Sequence, residues 1–225
     1  DREQGAFAAN RAGAARVSRR IAAMLEGPLA DKPRDWSPIV YCWRGGSRSW
    51  SLATVLARIG WRVGLLEGGY RRYRQRVVAD IEGLAPKLDL RVLAGPTGVG
   101  KTRLLQRALD QGLQVLDLEA IANHRGSVLG GFEGDPQPSQ KAFESRLWHA
   151  LRLLDPERAV LVESESRKIG RIHLPEPMIA SMRRSPCIRI EASIPTRVAL
   201  LRDEYFHFEA DPAPLIERLE RLESL

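Results

Sequence analysis

Cysteine is almost missing from this chain: 225 residues contain two, Cys42 and Cys187, in different parts of the sequence. Two distant cysteines exclude a disulfide framework and point to a reducing, cytoplasmic compartment. Histidine is scarce as well, and His124 has no second His or Cys at ligand spacing, so no zinc-type site is predicted there. No apolar run reaches the roughly 20 positions that a membrane-spanning helix needs, and no signal peptide is visible. Internal repeats are absent. The chain opens on Asp1 rather than Met and stops within a helical pattern, so both ends read as truncated.

Basic residues are plentiful. Lys and Arg number 35 against 28 Asp and Glu, a net charge of +7. That excess favours a polyanionic partner, with RNA or DNA first. A hydrophobic fraction of 44% and a charged fraction of 28% suit a globular protein. The length allows one large domain or two small ones, each able to bury a core. The sequence shows no stable protein partner and no membrane association.

Periodicity divides the chain near residue 85. Helical spacing covers Gln4 to Leu25, stopped by Gly27 and Pro28. A short strand, Pro38 to Tyr41, leads into a loop. A helix from Ser49 to Ile59 ends at Gly60, and a strand from Trp61 to Leu66 precedes the turn Gly68-Gly69. Strand, loop, helix and strand in this order form a parallel α/β layer. A basic helix over Tyr70 to Ile81 follows. Beyond the junction at Gly83 to Lys87, strands are predicted at Leu88–Ala94, Gln114–Leu118, Ala159–Val162 and Cys187–Ile194. Helices are predicted at Lys101–Leu109, Gln140–Leu154 and Thr196–Tyr205, a Gly/Pro-rich loop at Arg125–Ser139, and an amphipathic segment at Leu215–Leu225. In the Gln140 helix, Phe143 and Trp148 read as core residues rather than base-stacking platforms.

Two loops carry the chemistry. In Tyr41-Cys42-Trp43-Arg44-Gly45-Gly46-Ser47-Arg48-Ser49 a cysteine lies between a strand end and a helix start. Unpaired N–H groups there favour an anion and lower a thiol's pKa. Gly45 and Gly46 permit the backbone angles of an amide nest. Arg48 can fork onto an oxyanion above Cys42, Arg44 adds charge at the rim, and Ser47 completes the oxyanion cradle. The second loop, Gly95-Pro96-Thr97-Gly98-Val99-Gly100-Lys101-Thr102, is a full GxxxxGK[ST] match with a strand before it and a helix after it. Gly95, Gly98 and Gly100 let the backbone wrap a phosphate, Lys101 supplies charge, and Thr102 can ligate Mg²⁺. The magnesium-organising carboxylate is expected at a neighbouring strand end. Asp117 with Glu119 competes with Glu163 and Glu165, and the second pair is favoured because it follows the more apolar strand. Arg71, Arg72, Arg74 and Arg76 are candidate RNA contacts. Arg167, Lys168 and Arg171 could touch phosphates or form a solvated basic turn.

The cysteine loop resembles that of rhodanese-fold proteins. Five residues separate Cys42 from Arg48, one more than in typical sulfur-transferring rhodaneses and the same as in their phosphatase relatives. The whole order, YCWRGGSRSWSLATVLARIGW, LEGGYRRYR, VLAGPTGVGKTRLL, DLEAIANHRGSVLG, QPSQKAFESRLW and VESESRKIG, is similar to the tRNA 2-selenouridine synthase family. The resemblance implies a partial rhodanese-like parallel-sheet domain over residues 1–84, lacking its first strands, and a P-loop NTPase-like parallel α/β domain over 85–225. It implies a bacterial cytoplasmic transferase that geranylates 2-thiouridine at the wobble position of tRNA with geranyl diphosphate. The geranylthio group is then replaced by selenium from selenophosphate. Cys42 would be the nucleophile, attacking selenophosphate at selenium to carry it as Cys–S–Se⁻ while Arg48 and the loop amides hold the phosphate. The P-loop would hold the diphosphate, with Mg²⁺ or a nucleotide as further candidates there.

Two rivals use the same residues. A P-loop kinase or ATPase fused to a phosphatase-like domain should release phosphate from ATP without tRNA. A non-catalytic RNA-binding module should lose nothing on Cys42→Ser.

Overall fold

The computed structural model describes residues 5–125, 135–206 and 216. They form two compact units, Asp1–Arg76 and Val77–Leu225. The changeover falls inside a helix, ahead of the junction read at Gly83 to Lys87.

The first unit is built from helix α1 (Gly5–Glu26), strand β1 (Ile39–Val40), helix α2 (Ser47–Ile59), strand β2 (Gly64–Leu65) and the start of helix α3 (Gly69–Leu84). β1 and β2 pair in parallel, with Ile39 opposite Gly64 and Val40 opposite Leu65. Both strands are shorter than the apolar runs suggest: Val40 is 7% exposed but Ile39 is 72% exposed. Trp61, expected to open β2, is held by side-chain contacts instead. Its indole N–H donates to the Pro33 carbonyl at 2.8 Å, and its ring meets Trp36 edge-on at 5.4 Å. α2 buries Leu56 and stops at Gly60, whose φ of 112° and N–H bond to Ala57 O close the last turn.

In the second unit, β3 (Leu90–Ala94), β4 (Gln114–Leu116), β5 (Val160–Glu163) and β8 (Cys187–Arg189) form a sheet in the order β4-β5-β3-β8. Every pairing in it is parallel, including Leu93 with Glu163 and Leu116 with Val162. β3 and β5 are apolar at nearly every position because helices cover a parallel sheet on both faces. The helices are α4 (Lys101–Asp110), α5 (Leu118–Ala122), α6 (Gln140–Leu153), α7 (Glu176–Arg184) and α8 (Ile194–Glu204). α6 buries Phe143, Leu147 and Leu151 along one stripe. Trp148 is only half-buried; its indole N–H donates to Asp80 at 2.9 Å.

Three features depart from the expectations. The strand from Cys187 ends at Arg189, because Ser193 already caps α8 by accepting from Thr196 N–H, and Pro195 fixes the first turn. α5 and α7 lie where no helix is predicted. The basic segment at Arg167 to Arg171 is an antiparallel hairpin of β6 (Lys168–Ile169) and β7 (Ile172–His173). The amphipathic segment at Leu215–Leu225 and the Gly/Pro-rich loop, including Gly126 and Ser127, lie largely outside the described residues.

The QPSQ segment holds this hairpin. Gln137 donates to Ile169 O at 2.9 Å and Ala122 O at 3.2 Å, and accepts from Arg171 N at 2.9 Å. Gln140 exchanges a matching pair of bonds with His173, at 2.8 and 2.9 Å. Gly170 turns the hairpin at φ 57°, and a Cβ there would sit 2.3 Å from Gln137 Oε1. The motif therefore acts as a backbone clamp. Gln137→Ala leaves part-buried backbone groups unmatched and should lower stability by about 1–3 kcal/mol, read as a fall in thermal midpoint.

Candidate functional sites

Cys42 follows β1, and α2 begins just beyond it at Ser47. This geometry aims the first amides of the helix back at the sulfur. Gly46 N–H donates to Cys42 Sγ at 3.3 Å, and the Ser49 hydroxyl reaches the same sulfur at 3.3 Å. Ser49 is 2% exposed, and its single proton is divided between Sγ and Gly46 O, 2.9 Å away. The thiol's pKa is lowered from 9.0 to about 6, first by the Ser49 hydroxyl and then by the Gly46, Ser49 and Arg44 amides, against an opposing effect of burial. Near neutral pH the sulfur is a thiolate. Cys42, Trp43, Arg44, Gly46, Ser47 and Arg48 line a cavity of about 310 Å³, so these predicted residues do converge.

Gly45 belongs to the same loop by a different route. It sits at φ 66°, and a Cβ on it would lie 2.7 Å from Gly69 N. Gly69, at φ 59°, is tighter still, with a hypothetical Cβ 2.2 Å from Cys42 O. The start of α3 donates to the loop from the same side: Tyr70 N–H to Cys42 O at 2.9 Å and Arg71 N–H to Trp43 O at 2.8 Å. Ser49 and Gly69 are the positioning residues that the sequence reading missed. A hydroxyl directly after Arg48 was a usable signal for Ser49. Nothing local announces Gly69, whose role depends on a contact with a distant loop. Arg71, Arg72, Arg74 and Arg76 lie along α3, and exposed Arg72 pairs with Glu67 at 2.9 Å.

In the second unit, parallel strands bring several C-terminal ends to one edge of the sheet. The glycine loop leaves β3 there. Gly98 and Gly100 take φ 79° and 86°, and the loop walls a cavity of about 420 Å³ with Gly95, Lys101 and Thr102. Lys101 Nζ donates to Gly95 O at 2.9 Å. α8 braces the loop: Arg197 donates to Thr97 O at 2.9 and 3.1 Å, and a Cβ on Gly98 would meet Leu201 at 2.6 Å.

The carboxylates divide differently from the expectation. Glu119 and Glu165 are in the cavity wall. Glu163, the favoured candidate, is 2% exposed; its Oε1 accepts from Glu119 N at 2.8 Å, and its Oε2 has no hydrogen-bond partner. Asp117 caps α5, accepting from Ala120 N at 2.7 Å. Burial, then the Asp117 charge, raises Glu163 to about 8. Burial, then a hydrogen bond with Glu119, raises Glu165 to about 8, while Lys101 pulls it down. An orphaned buried carboxylate oxygen beside crowded acids fits a nearby cation. Among the described residues no three His, Cys, Asp or Glu side chains gather to hold one unaided. A magnesium ion completed by Thr102, Glu165, ligand phosphates and water matches that donor set.

A glycine loop between a parallel strand and a helix start, with acids at the adjoining strand ends, defines a P-loop α/β protein. A family model described as the tRNA 2-selenouridine synthase AAA domain matches residues 88–214. The chain is 40% identical over 172 residues to the tRNA 2-selenouridine synthase of Nitrosomonas europaea, covering 74% of this chain and 44% of that protein. It is 35% identical over 187 residues to the Aeromonas salmonicida protein of the same name, covering 81% and 48%. The chain belongs to the tRNA 2-selenouridine synthase family, and its match spans less than half the length of these curated relatives. Among solved structures, a DNA replication initiation factor is similar at 18% identity and a TM-score of 0.28, over 64% of this chain and 53% of that one. Among the described residues no helix is long and apolar enough to cross a membrane.

Ser49→Ala removes the largest influence lowering the Cys42 pKa. The thiol's titration midpoint should rise from about 6 towards 9.0, and alkylation by iodoacetamide at pH 6.5–7 should slow several-fold while the rate at high pH stays unchanged.

Proposed function

We propose that this chain forms part of an enzyme that converts 2-thiouridine to 2-selenouridine at the wobble position of bacterial tRNA, in the cytoplasm, through a geranylated intermediate. The observation that carries this reading is the Cys42 sulfur, which accepts from Gly46 N–H and the Ser49 hydroxyl in a cavity that Arg48 also lines. The first unit is read as a partial rhodanese-like domain, and the strip from Arg71 to Arg76 as a tRNA contact.

Selenophosphate suits the cysteine cavity as a tetrahedral anion. In a cradle of loop amides and the Arg48 guanidinium, its phosphoryl group would face Sγ. Attack at phosphorus forms an S–P bond, breaks the P–Se bond and releases selenide with the bonding pair. Water then regenerates the cysteine and gives phosphate. Selenide displaces the geranylthio group at the base: a C–Se bond forms and the C–S bond breaks. Carriage as Cys–S–Se⁻, the form implied by the family resemblance, would require phosphorus to leave as phosphite, a two-electron reduction. Redox balance therefore favours phosphorus as the point of attack.

Geranyl diphosphate is assigned to the second cavity. There the base sulfur attacks the geranyl carbon and diphosphate departs. The amides around Gly98 and Gly100, with Lys101, would hold the departing charge. A bound magnesium ion would supply further neutralisation at Thr102 and Glu165.

Two measurements test this reading. After incubation with selenophosphate, Cys42 should carry phosphorus without the selenium isotope pattern, and the solution should contain phosphate. A selenium adduct with phosphite would restore the carrier role, and no adduct or turnover would remove Cys42 from the reaction. Lys101→Ala should reduce geranylation of a 2-thiouridine tRNA at least ten-fold. Intact geranylation with selenation lost would overturn the diphosphate assignment.

A further inference from the structure

Trp43 is the residue after the nucleophile, and it stays 48% exposed although it is among the largest apolar side chains in the chain. Trp43 is one of the residues that line the Cys42 cavity. One side of the ring leans on Tyr70, with centroids 5.4 Å apart and planes at 36°, and Tyr70 continues to Tyr73 at 5.8 Å and 35°. Tyr41, on the other side of Cys42 in sequence, is 58% exposed. The backbone of Trp43 is pinned by Arg71 N–H at 2.8 Å, so the ring is presented from a fixed support. An aromatic row of this kind tends to be buried in a monomer. Arg44 and Arg48 line the same cavity as Trp43, and the helix that carries Tyr70 and Tyr73 also carries Arg71 and Arg74.

Exposed aromatic rings interleaved with arginines are the chemistry that recognises an unstacked RNA base: the ring takes the base face, and the guanidinium groups take the flanking phosphates. A prenyl diphosphate offers the rings a chain and the arginines a diphosphate, and it stands as the competing ligand in the test. We propose that Trp43 is a stacking platform for the reactive base of a splayed RNA strand and positions that base over the Cys42 cavity. This inference rests on the assignment of tRNA as the substrate.

The test is a binding cycle on short single-stranded RNAs with either 2-thiouridine or an abasic residue at the reactive position, read by fluorescence anisotropy. Loss of the base from the RNA should weaken binding to the wild-type protein by roughly 5- to 150-fold. Trp43→Leu, which keeps apolar bulk and removes the stack, should weaken binding of the intact RNA by a similar factor and make the abasic change nearly silent. Trp43→Phe should restore most of the affinity. The proposal is overturned if Trp43→Leu binds the intact RNA like the wild type. It is equally overturned if the two losses multiply independently, or if geranyl diphosphate rather than RNA quenches the fluorescence that Trp43→Phe removes. Wild-type turnover of selenophosphate without RNA reads the proposed reaction separately. Its failure would sink the Cys42 chemistry and leave the stacking result standing on its own.

Discussion

Both candidate sites depend on one constraint: the first N–H groups of an α-helix have no partner within the helix. α2 starts beside Cys42, and α4 starts beside the phosphate loop. In each case glycine supplies a backbone angle that other residues adopt at a cost, at Gly45 in one loop and at Gly98 and Gly100 in the other. The amides then point at one volume. In the first loop the protein's own sulfur takes part of that field, which lowers its pKa to about 6. In the second the loop lines a cavity of about 420 Å³.

The two sites differ in charge. The cysteine loop is cationic, and its environment holds a thiolate that would otherwise be protonated at neutral pH. The phosphate loop faces acids at the strand ends, where burial first, then the Asp117 charge at Glu163 and the hydrogen bond with Glu119 at Glu165, raises both carboxyls to about 8. Lys101 already opposes the rise at Glu165, and a cation completed by a ligand's phosphates would lower it further.

Much of the architecture was legible in the chain. Alternation of apolar strands with helical patterns announced a parallel α/β arrangement, and β3, α4 and α6 lie close to their expected positions. The Cys42 and GxxxxGK[ST] loops are short-range patterns whose backbone chemistry is local, so their residues converge as expected. Carboxylate roles were harder to assign. Asp117 and Glu163 both follow apolar strands, and only their surroundings reveal a helix cap in one and a buried brace for Glu119 in the other. The QPSQ segment read as a family signature, yet its glutamines pair with backbone groups some thirty residues away.

By itself, the amino-acid order determined the two glycine-bearing loops, the α/β class and the family, because these depend on residue types at fixed short spacings. Tertiary structure decided which side chains complete each loop. Gly69 fits against Cys42 because the end of β2 returns beside β1, and Glu165 reaches the phosphate cavity because β5 pairs with β3 in parallel register. Such meetings depend on strand pairing between distant segments, and no local spacing encodes them.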